Sequence, residues 1–465
     1  MASNTTDSNN VHLAVLIHGM WGNPTHLTEM NRIVRERQEN KTGPGGEKVH
    51  TLVAETNKEA STYDGIDWGG ERVVDEIMEE IKKLEQDGKK VTRFSVLGYS
   101  LGGLIGRYVI GILHQRQFFK DIEPVNFATV ATPHIGLILY PTLRSSLFAT
   151  LGPRLLSRTG EQFYAVDKWS ATGRPLLAVM ADPERIFHQA LAIFPNVTFY
   201  ANAINDQTVP YLTAAVESED PFMDYSTNRL RIEFDEEYAP LIKGYEFSDS
   251  DDFSPIPQPR MFSKKWFKDV KLPLPPALQF KFPFNVLLVA ALPVLFPTVL
   301  TLIIIRLSKD SRASKSRLKL LESDESYANR LIHIAGRLEK SIEDAAVDLF
   351  DDPGSNQPST IPEPVLDSTS QETLSSPEAS SKKACRITSR GSEKEKKQKN
   401  GAQLTEVQLK IIASLNSLPN LKKQLAFIDN VLNSHAVIVA RDTKKFEHHT
   451  RGYGVLRHLA DNFVV

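Results

Sequence analysis

Short apolar runs alternate with amphipathic stretches over roughly the first 230 residues of the chain. Five apolar runs have strand length: His12–Ile17, Thr51–Glu55, Arg93–Leu97, Asn126–Ala131 and Val197–Ala203. Helical spacing is seen in Gly70–Asp87 and again from Leu104 to about Phe118. Strands that alternate with helices indicate a parallel sheet covered by helices, so we predict an α/β fold. Residues 136–193 are predicted to be mostly helical and are a candidate lid.

The pattern changes after about residue 236, and this change predicts the domain organisation. A tract rich in Ser, Pro, Glu and Lys without apolar periodicity is typical of disorder. We predict seven segments: a flexible tail without a secretory signal (1–10), a core with a helical lid region (11–235), a Pro-rich, aromatic and basic linker (236–281), a hydrophobic hairpin (282–305), a basic and helical segment (306–350), a disordered insert (351–402), and a C-terminal return to the core (403–465). The last segment contains a predicted helix, Leu404–Leu415, and a predicted strand, Leu421–Ile428, and a further apolar element is expected to start at His435–Arg441.

Composition narrows the class of protein only slightly. The 465 residues are 41% hydrophobic and 24% charged, which is too apolar for a wholly disordered chain. Lys and Arg total 55 and Asp and Glu total 57, a net charge of −2, so a globally basic nucleic-acid binder is excluded. Cys385 is the single cysteine, which excludes a disulfide scaffold. We expect no metal site and no cofactor, because no His, Asp or Glu cluster has ligand spacing.

The hydrophobic segment Phe282–Ile305 contains 24 consecutive uncharged residues, which is long enough to consider a membrane span. Pro293 and Pro297 interrupt it, and the helical arms on either side would each reach only about 12 Å, against a hydrocarbon core of about 30 Å. Both flanks are basic, which favours both ends on one side of a membrane. We therefore predict a helix–Pro–helix hairpin in a monolayer or one leaflet. A single span and a buried helix pair are the alternatives.

The sequence Gly98-Tyr99-Ser100-Leu101-Gly102 has the G-x-S-x-G pattern of a nucleophile elbow. A predicted strand precedes it and a predicted helix follows it, as this tight turn requires. Small residues such as Gly98 and Gly102 allow the strand and the helix to approach closely. Ser100 is therefore the candidate nucleophile, and a simple Gly-rich turn is the alternative.

The candidate acid and base follow in chain order. Asp206 comes just after the strand Val197–Ala203, although it could instead order an Asx turn. Of the later histidines His333, His435, His448, His449 and His458, we favour His435, because it follows a predicted strand and precedes an apolar stretch. The loop from His18 and Gly19 onward follows the first strand, and it is expected to supply an oxyanion-hole amide from Met20 or Gly19, with Leu101 supplying the other.

Six short motifs together resemble the fungal serine esterases and lipases of the α/β-hydrolase superfamily. They are Leu16-Ile17-His18-Gly19-Met20-Trp21-Gly22, Thr62-Tyr63-Asp64-Gly65-Ile66, Gly69-Gly70-Glu71-Arg72-Val73, Gly98-Tyr99-Ser100-Leu101-Gly102-Gly103, Ala131-Thr132-Pro133-His134 and Asn433-Ser434-His435-Ala436-Val437-Ile438. Within that family, the uncharged segment and the long C-terminal arm are similar to the lipid-droplet phospholipase branch. Tyr99 stands where histidine is commoner, at a position expected to lie outside the reacting atoms.

The resemblance implies an α/β-hydrolase with a mostly parallel central sheet, interrupted by the hydrophobic hairpin and the disordered insert. It also implies a serine phospholipase or lipase that hydrolyses acyl esters of glycerophospholipids through Ser100, Asp206 and His435. The expected partners are the glycerolipid substrate and a lipid monolayer or membrane surface, not nucleic acid. The expected location is a lipid droplet or the cytosolic face of a membrane, such as the endoplasmic reticulum. An acylglycerol lipase, a thioesterase, a transacylase and an inactive lipid-surface scaffold are the alternatives.

Overall fold

The computed structural model describes residues 9–141, 143–225, 230–247, 284–323 and 401–465. Eight strands lie in these ranges: β1 (Asn10–Ile17), β2 (Lys48–Val53), β3 (Lys90–Tyr99), β4 (Glu123–Val130), β5 (Asn196–Asn202), β6 (Leu230–Phe234), β7 (Ile242–Phe247) and β8 (Leu421–Ala426). The α-helices of the same ranges are α1 (Thr28–Gln38), α2 (Ile66–Gln86), α3 (Leu101–Gln115), α4 (Leu143–Leu155), α5 (Ser157–Phe163), α6 (Leu176–Ala181), α7 (Ile186–Ala192), α8 (Tyr211–Ala214), α9 (Phe284–Ser323), α10 (Glu406–Asn416) and α11 (Tyr453–Asp461).

Six strands form one parallel sheet in the order β2-β1-β3-β4-β5-β8. The inner strands are apolar almost throughout, because a sheet covered on both faces buries alternate side chains on each side. Helices α2, α3, α6 and α7 pack on one face, and α1 and α11 pack on the other. The prediction of an α/β fold with a parallel sheet is confirmed, and each of the five predicted strands is present with slightly different ends.

The C-terminal segment completes this sheet. β8 lies parallel to β5, with Val197 opposite Leu421 and Asn202 opposite Ala426. Helix α10 begins with a capping box, in which Thr405 and Gln408 satisfy each other's backbone amides. The carboxyl ends of β3, β5 and β8 therefore meet at one edge of the sheet, although β8 comes about 220 residues after β5.

The boundary predicted at residues 235 and 236 is wrong, because it cuts a β-hairpin. β6 and β7 pair antiparallel, with Leu230 opposite Phe247. The hairpin packs on the core through Ile232 and Ile242. Its strands are short and largely exposed, so their sequence carries little of the alternation on which strand prediction depends. The predicted helical lid region is indeed helical in its described residues, where α4, α5, α6 and α7 lie.

The predicted hairpin in residues 282–305 is also wrong within the described residues. Helix α9 runs without a break from Phe284 to Ser323 and passes through Pro293 and Pro297. An interior proline removes one i→i−4 hydrogen bond at a cost of about 3 kcal/mol, but it does not force the chain to reverse. The hydroxyl groups of Thr298 and Thr301 donate to the carbonyls of Val294 and Pro297, at 2.7 and 2.8 Å.

The later part of α9 is fixed to the core, whereas its apolar part is exposed. Arg317 forms an ion pair with the fully buried carboxylate of Asp64 at 2.8 Å, and Ser311 donates to the carbonyl of Arg154. By contrast, Val294 and Phe296 are 72% and 67% exposed. Over the stretches that the structure describes, no helix is both long and apolar enough to cross a membrane. The predicted helical segment beyond residue 323 and nearly all of the predicted disordered insert lie outside the described residues.

Candidate active site

Ser100 occupies the turn between β3 and α3. Its backbone angles are φ 56° and ψ −126°, a conformation that non-glycine residues rarely adopt. The turn is held from both sides, because the Ser100 amide donates to the Val130 carbonyl and the Thr132 hydroxyl donates to the Ser100 carbonyl, each at 2.9 Å. The side chain is therefore presented at the carboxyl edge of the sheet, at the start of a helix.

The glycines of the predicted elbow are required by close backbone contacts. A Cβ on Gly98 would lie 2.4 Å from the Cα of Gly103, and a Cβ on Gly102 would lie 2.0 Å from the carbonyl oxygen of Ile17. Both distances are far below any real contact, so only glycine fits at these two positions. The motif therefore reflects the packing of α3 against β1 and β3.

The structure brings together the three residues that the sequence analysis selected. His435 Nε2 lies 3.0 Å from Ser100 Oγ, and His435 Nδ1 lies 2.9 Å from Asp206 Oδ2. The side chains of Asp206 and His435 are 1% and 9% exposed. This is the arrangement of a nucleophile, a general base and an orienting carboxylate.

The Asp206 carboxylate is held by four hydrogen bonds. Its Oδ1 accepts from the backbone amides of Thr208 and Val209, at 3.0 and 2.8 Å. Its Oδ2 accepts from Asn202 Nδ2 at 2.8 Å, in addition to His435. These bonds fix the position of the carboxylate, which can then hold the imidazole in one tautomer. Asp206 can therefore form an Asx turn and orient His435 at the same time.

The loop that carries His435 is tied to the loop that carries Asp206. The Ser434 amide donates to the Asn205 carbonyl at 2.9 Å, and the Ser434 hydroxyl donates to the Ile204 carbonyl at 2.8 Å. Asn433 Nδ2 donates to the Thr208 hydroxyl, and Asn433 Oδ1 accepts from the His435 amide. The motif Asn433-Ser434-His435 therefore aligns two loops that are more than 200 residues apart. Residues 435–440 form consecutive turns, and the predicted apolar element is not a helix or strand there, because the amides of Val437, Ile438 and Ala440 bond carbonyls three or four residues earlier.

Tyr99 contributes more to the site than the sequence indicated. Its hydroxyl donates to the carbonyl oxygen of His435 at 3.0 Å, and the two rings lie 5.1 Å apart. Burial raises the pKa of Tyr99, so this phenol stays protonated and remains a donor. No sequence signal indicated this contact, because it joins Tyr99 to a residue 336 positions away in sequence.

The predicted oxyanion loop lies directly against Ser100. A Cβ on Gly19 would be 2.6 Å from the Ser100 Cβ, so Gly19 allows the loop to approach the nucleophile. His18 Nδ1 donates to the Gly19 carbonyl at 3.1 Å, and burial lowers the pKa of His18, which keeps its ring neutral. Within the described ranges, the amides of Met20 and Leu101 donate to no protein carbonyl, so both are available to a ligand oxygen.

A cavity of about 700 Å³ opens above Ser100 and His435. Its lining includes apolar side chains from both walls: Met20, Trp21, Val431, Leu432 and Phe446. Trp21 also borders a second cavity of about 440 Å³, whose other wall is formed by Ile303, Arg306, Leu307 and Asp310 of α9. The exposed helix therefore stands next to the mouth of the candidate site. In the described parts of the chain, no group of three or more His, Cys, Asp or Glu side chains could hold a metal ion.

The other histidines have different surroundings. His134 is buried, stacks on Phe199 with ring centroids 3.8 Å apart and lies 2.9 Å from the Thr129 hydroxyl, which fits a structural role. His458 bonds Tyr200, and His333 lies outside the described residues. His448 and His449 line the cavity above Ser100, a position that the sequence did not reveal.

The parallel sheet and the turn that presents Ser100 at its carboxyl edge are the architecture of an α/β-hydrolase fold. Residues 7–219 match the family described as "Putative serine esterase (DUF676)". The match covers slightly less than half of the chain, and it includes Ser100 and Asp206 but ends before His435.

Curated fungal proteins are similar to slightly less than half of the chain. A "Putative lipase" of Schizosaccharomyces pombe is 31% identical over 223 residues, which are 45% of this chain and 26% of that protein. A "Putative lipase" of Saccharomyces cerevisiae is 27% identical over 224 residues, which are 48% of this chain and 30% of that protein. The chain thus spans less than a third of the length of these relatives.

Solved structures align weakly. A "putative cell surface hydrolase" from Lactobacillus plantarum aligns at 14% identity over 44% of this chain and 74% of its own, with a TM-score of 0.25. Phospholipase PlaB from Legionella pneumophila aligns at 13% identity over 43% of this chain and 39% of its own, with a TM-score of 0.26.

Proposed function

We propose that the protein is a serine lipase that hydrolyses acyl esters of glycerolipids, phospholipids among them, at a lipid surface. The observation that carries the proposal is the chain of contacts from Ser100 through His435 to Asp206, at 3.0 and 2.9 Å. The family match and the fungal relatives named as lipases support the same chemistry.

The reaction follows from the positions of these groups. His435 Nε2 accepts the proton of Ser100 Oγ as the oxygen attacks the ester carbonyl. The amides of Met20 and Leu101 stabilise the negative charge that develops on the carbonyl oxygen. His435 then gives the proton to the leaving alcohol, and an acyl-enzyme remains on Ser100. Water, deprotonated by the same imidazole, releases the fatty acid.

The lipid surface is inferred from helix α9. The helix exposes apolar side chains between Pro293 and Ile305 and is fixed beside the cavity mouth by the ion pair between Arg317 and Asp64. Basic residues follow the apolar segment, which suits anionic lipid headgroups. We infer that α9 inserts in a monolayer or one leaflet and brings Ser100 to its substrate. A lipid droplet, or the cytosolic face of the endoplasmic reticulum, would provide such a surface.

Hydrolysis of defined lipids tests the proposal. The purified chain is incubated with vesicles of dioleoyl phosphatidylcholine, with emulsified trioleoylglycerol and with oleoyl-CoA, and released fatty acid is measured beside Ser100→Ala. Release from a glycerolipid that depends on Ser100 supports a lipase, and release only from the thioester supports a thioesterase instead. Transfer of the acyl group to an added alcohol rather than to water would favour a transacylase. A wild-type chain that binds the vesicles but releases no fatty acid would support a scaffold and contradict the proposal.

A further inference from the structure

Among the described residues that line the cavity above Ser100, Arg441 carries the only permanent positive charge, and none is an aspartate or a glutamate. The polar lining comes from neutral donors and from histidines, among them Thr208, Asn430 and His449. A cavity with a nucleophile and an unbalanced positive charge favours an ester that also carries a negative charge.

The Arg441 side chain is partly buried and lies close to the base. Burial raises the pKa of Tyr99, and the positive charge of the Arg441 guanidinium partly offsets that rise. The guanidinium therefore lies near the Tyr99 hydroxyl, which bonds the His435 carbonyl. Among the residues that the structure describes, no carboxylate lies within ion-pair distance of this guanidinium. The neighbouring carboxylate of Asp442 is engaged by the amide and the ammonium of Lys445, the latter at 3.2 Å.

The backbone around Arg441 is fixed rather than loose. The Arg441 amide donates to the Ala436 carbonyl at 3.1 Å, and the Asp442 amide donates to His449 Nδ1 at 3.0 Å. Burial and the charges of His448 and Arg441 lower the pKa of His449 to about 4, so its ring is neutral at pH 7. Because Nδ1 accepts a hydrogen bond, the proton of the neutral ring is on Nε2, which adds a second donor beside the guanidinium.

We propose that Arg441 binds the phosphate of a glycerophospholipid whose acyl ester is attacked by Ser100. A guanidinium binds phosphate through two parallel hydrogen bonds, and it keeps its charge at every relevant pH. In a glycerophospholipid the phosphate and the scissile ester are attached to one glycerol unit, so both must fit one cavity, where Ser100 and Arg441 both lie. The inference rests on the proposed lipase activity and adds the residue that selects glycerolipids with a phosphate group over those without one.

The test compares two substrates that differ only in the phosphate headgroup. Dioleoyl phosphatidylcholine and dioleoylglycerol are presented in the same detergent micelles to the wild-type chain, to Arg441→Met, to Arg441→Lys and to the exposed control Arg457→Met. We expect Arg441→Met to lower kcat/KM for the phospholipid by about 10- to 100-fold, while the value for dioleoylglycerol changes less than threefold. Arg441→Lys should recover part of the loss, because it restores the charge but not the paired hydrogen bonds.

The other outcomes separate this inference from the proposed function. An equal loss on both substrates would make Arg441 a support for Tyr99 and His435 and would overturn phosphate binding. An unchanged phospholipid rate in Arg441→Met would also overturn phosphate binding. A third contrary result would be that inorganic phosphate inhibits dioleoylglycerol hydrolysis through Arg441 while the enzyme shows no preference for the phospholipid. That result would indicate a site for free anions. If the wild-type chain hydrolyses dioleoylglycerol but not the phospholipid, the inference fails and the lipase assignment stands. If it hydrolyses neither, the assignment itself fails.

Discussion

His435 Nε2 lies 3.0 Å from Ser100 Oγ, although 335 positions separate the two residues in sequence. The contact exists because β8 returns to the edge of the sheet beside β5 and brings the following loop over the nucleophile elbow. In the proposed mechanism, the C-terminal segment therefore supplies the base to a nucleophile in the N-terminal part of the chain.

Asp206→Asn should abolish most of the activity while leaving the fold intact. The amide can still bond to the loop amides, but it can no longer hold His435 in the required tautomer or stabilise the imidazolium. We expect kcat to fall about 10³- to 10⁴-fold on a glycerolipid ester. Asp121→Asn, an exposed carboxylate, is the matched control. A loss below tenfold for Asp206→Asn would assign the carboxylate a structural role only.

Gly19→Ala should disable the oxyanion loop. The added Cβ would lie 2.6 Å from the Ser100 Cβ, so the loop that carries the Met20 amide must move away from the nucleophile. Loss of one oxyanion donor lowers kcat by about 10²- to 10³-fold. Gly244→Ala, where the nearest atom is 3.9 Å away, should behave as the wild type. Wild-type kcat in Gly19→Ala, with correct folding by circular dichroism, would argue against this loop as part of the site.

Tyr99→Phe should reduce kcat by about 5- to 20-fold with little change in KM. The variant keeps the ring against His435 but removes the hydroxyl that bonds the His435 carbonyl, and a lost buried hydrogen bond has about this effect. Tyr108→Phe is the control, because the Tyr108 hydroxyl is buried without a partner among the described residues. If both variants reduce kcat equally, Tyr99 does not position the base.

Arg317→Met should reduce hydrolysis at a lipid surface but not hydrolysis of a soluble ester. The variant removes the ion pair that fixes α9 to Asp64, although Arg72 still neutralises that buried carboxylate at 2.8 Å. We expect the rate of hydrolysis at vesicles to fall about tenfold, because a displaced α9 no longer positions the lipid substrate at Ser100. The rate on a short soluble ester, which does not need α9, should change less than about threefold. Arg312→Met on the same helix is exposed and serves as the control. Equal effects on both substrates would contradict the proposed role of α9.

The local part of the site could be predicted from sequence. The elbow at Ser100 is a strand, a turn and a helix in direct succession, so its residue pattern is complete within a short stretch. Asp206 and His435 could be selected because each follows a strand and because their chain order matches that of the fold. The parallel sheet followed from uninterrupted apolar runs, which are typical of strands buried on both faces.

The remaining features depend on tertiary contacts that no local pattern encodes. Tyr99 supports His435 through a backbone carbonyl from the far end of the chain. Arg441 and His449 meet the cavity only because turns after β8 fold back over Ser100. The sequence did not predict that α9 continues through Pro293 and Pro297, because the two prolines alone favour a break. The other hydrogen bonds of the 40-residue helix maintain it despite their cost.

Covalent labelling of Ser100 tests the central claim most directly. The intact chain is treated with a fluorophosphonate in the presence of phosphatidylcholine vesicles, and the modified residue and the labelling rate are read by peptide mass spectrometry. We predict one adduct on Ser100 in the wild type, none in Ser100→Ala, and a rate at least about 10³-fold lower in His435→Ala. An adduct on another serine, or an unchanged rate in His435→Ala, would contradict it.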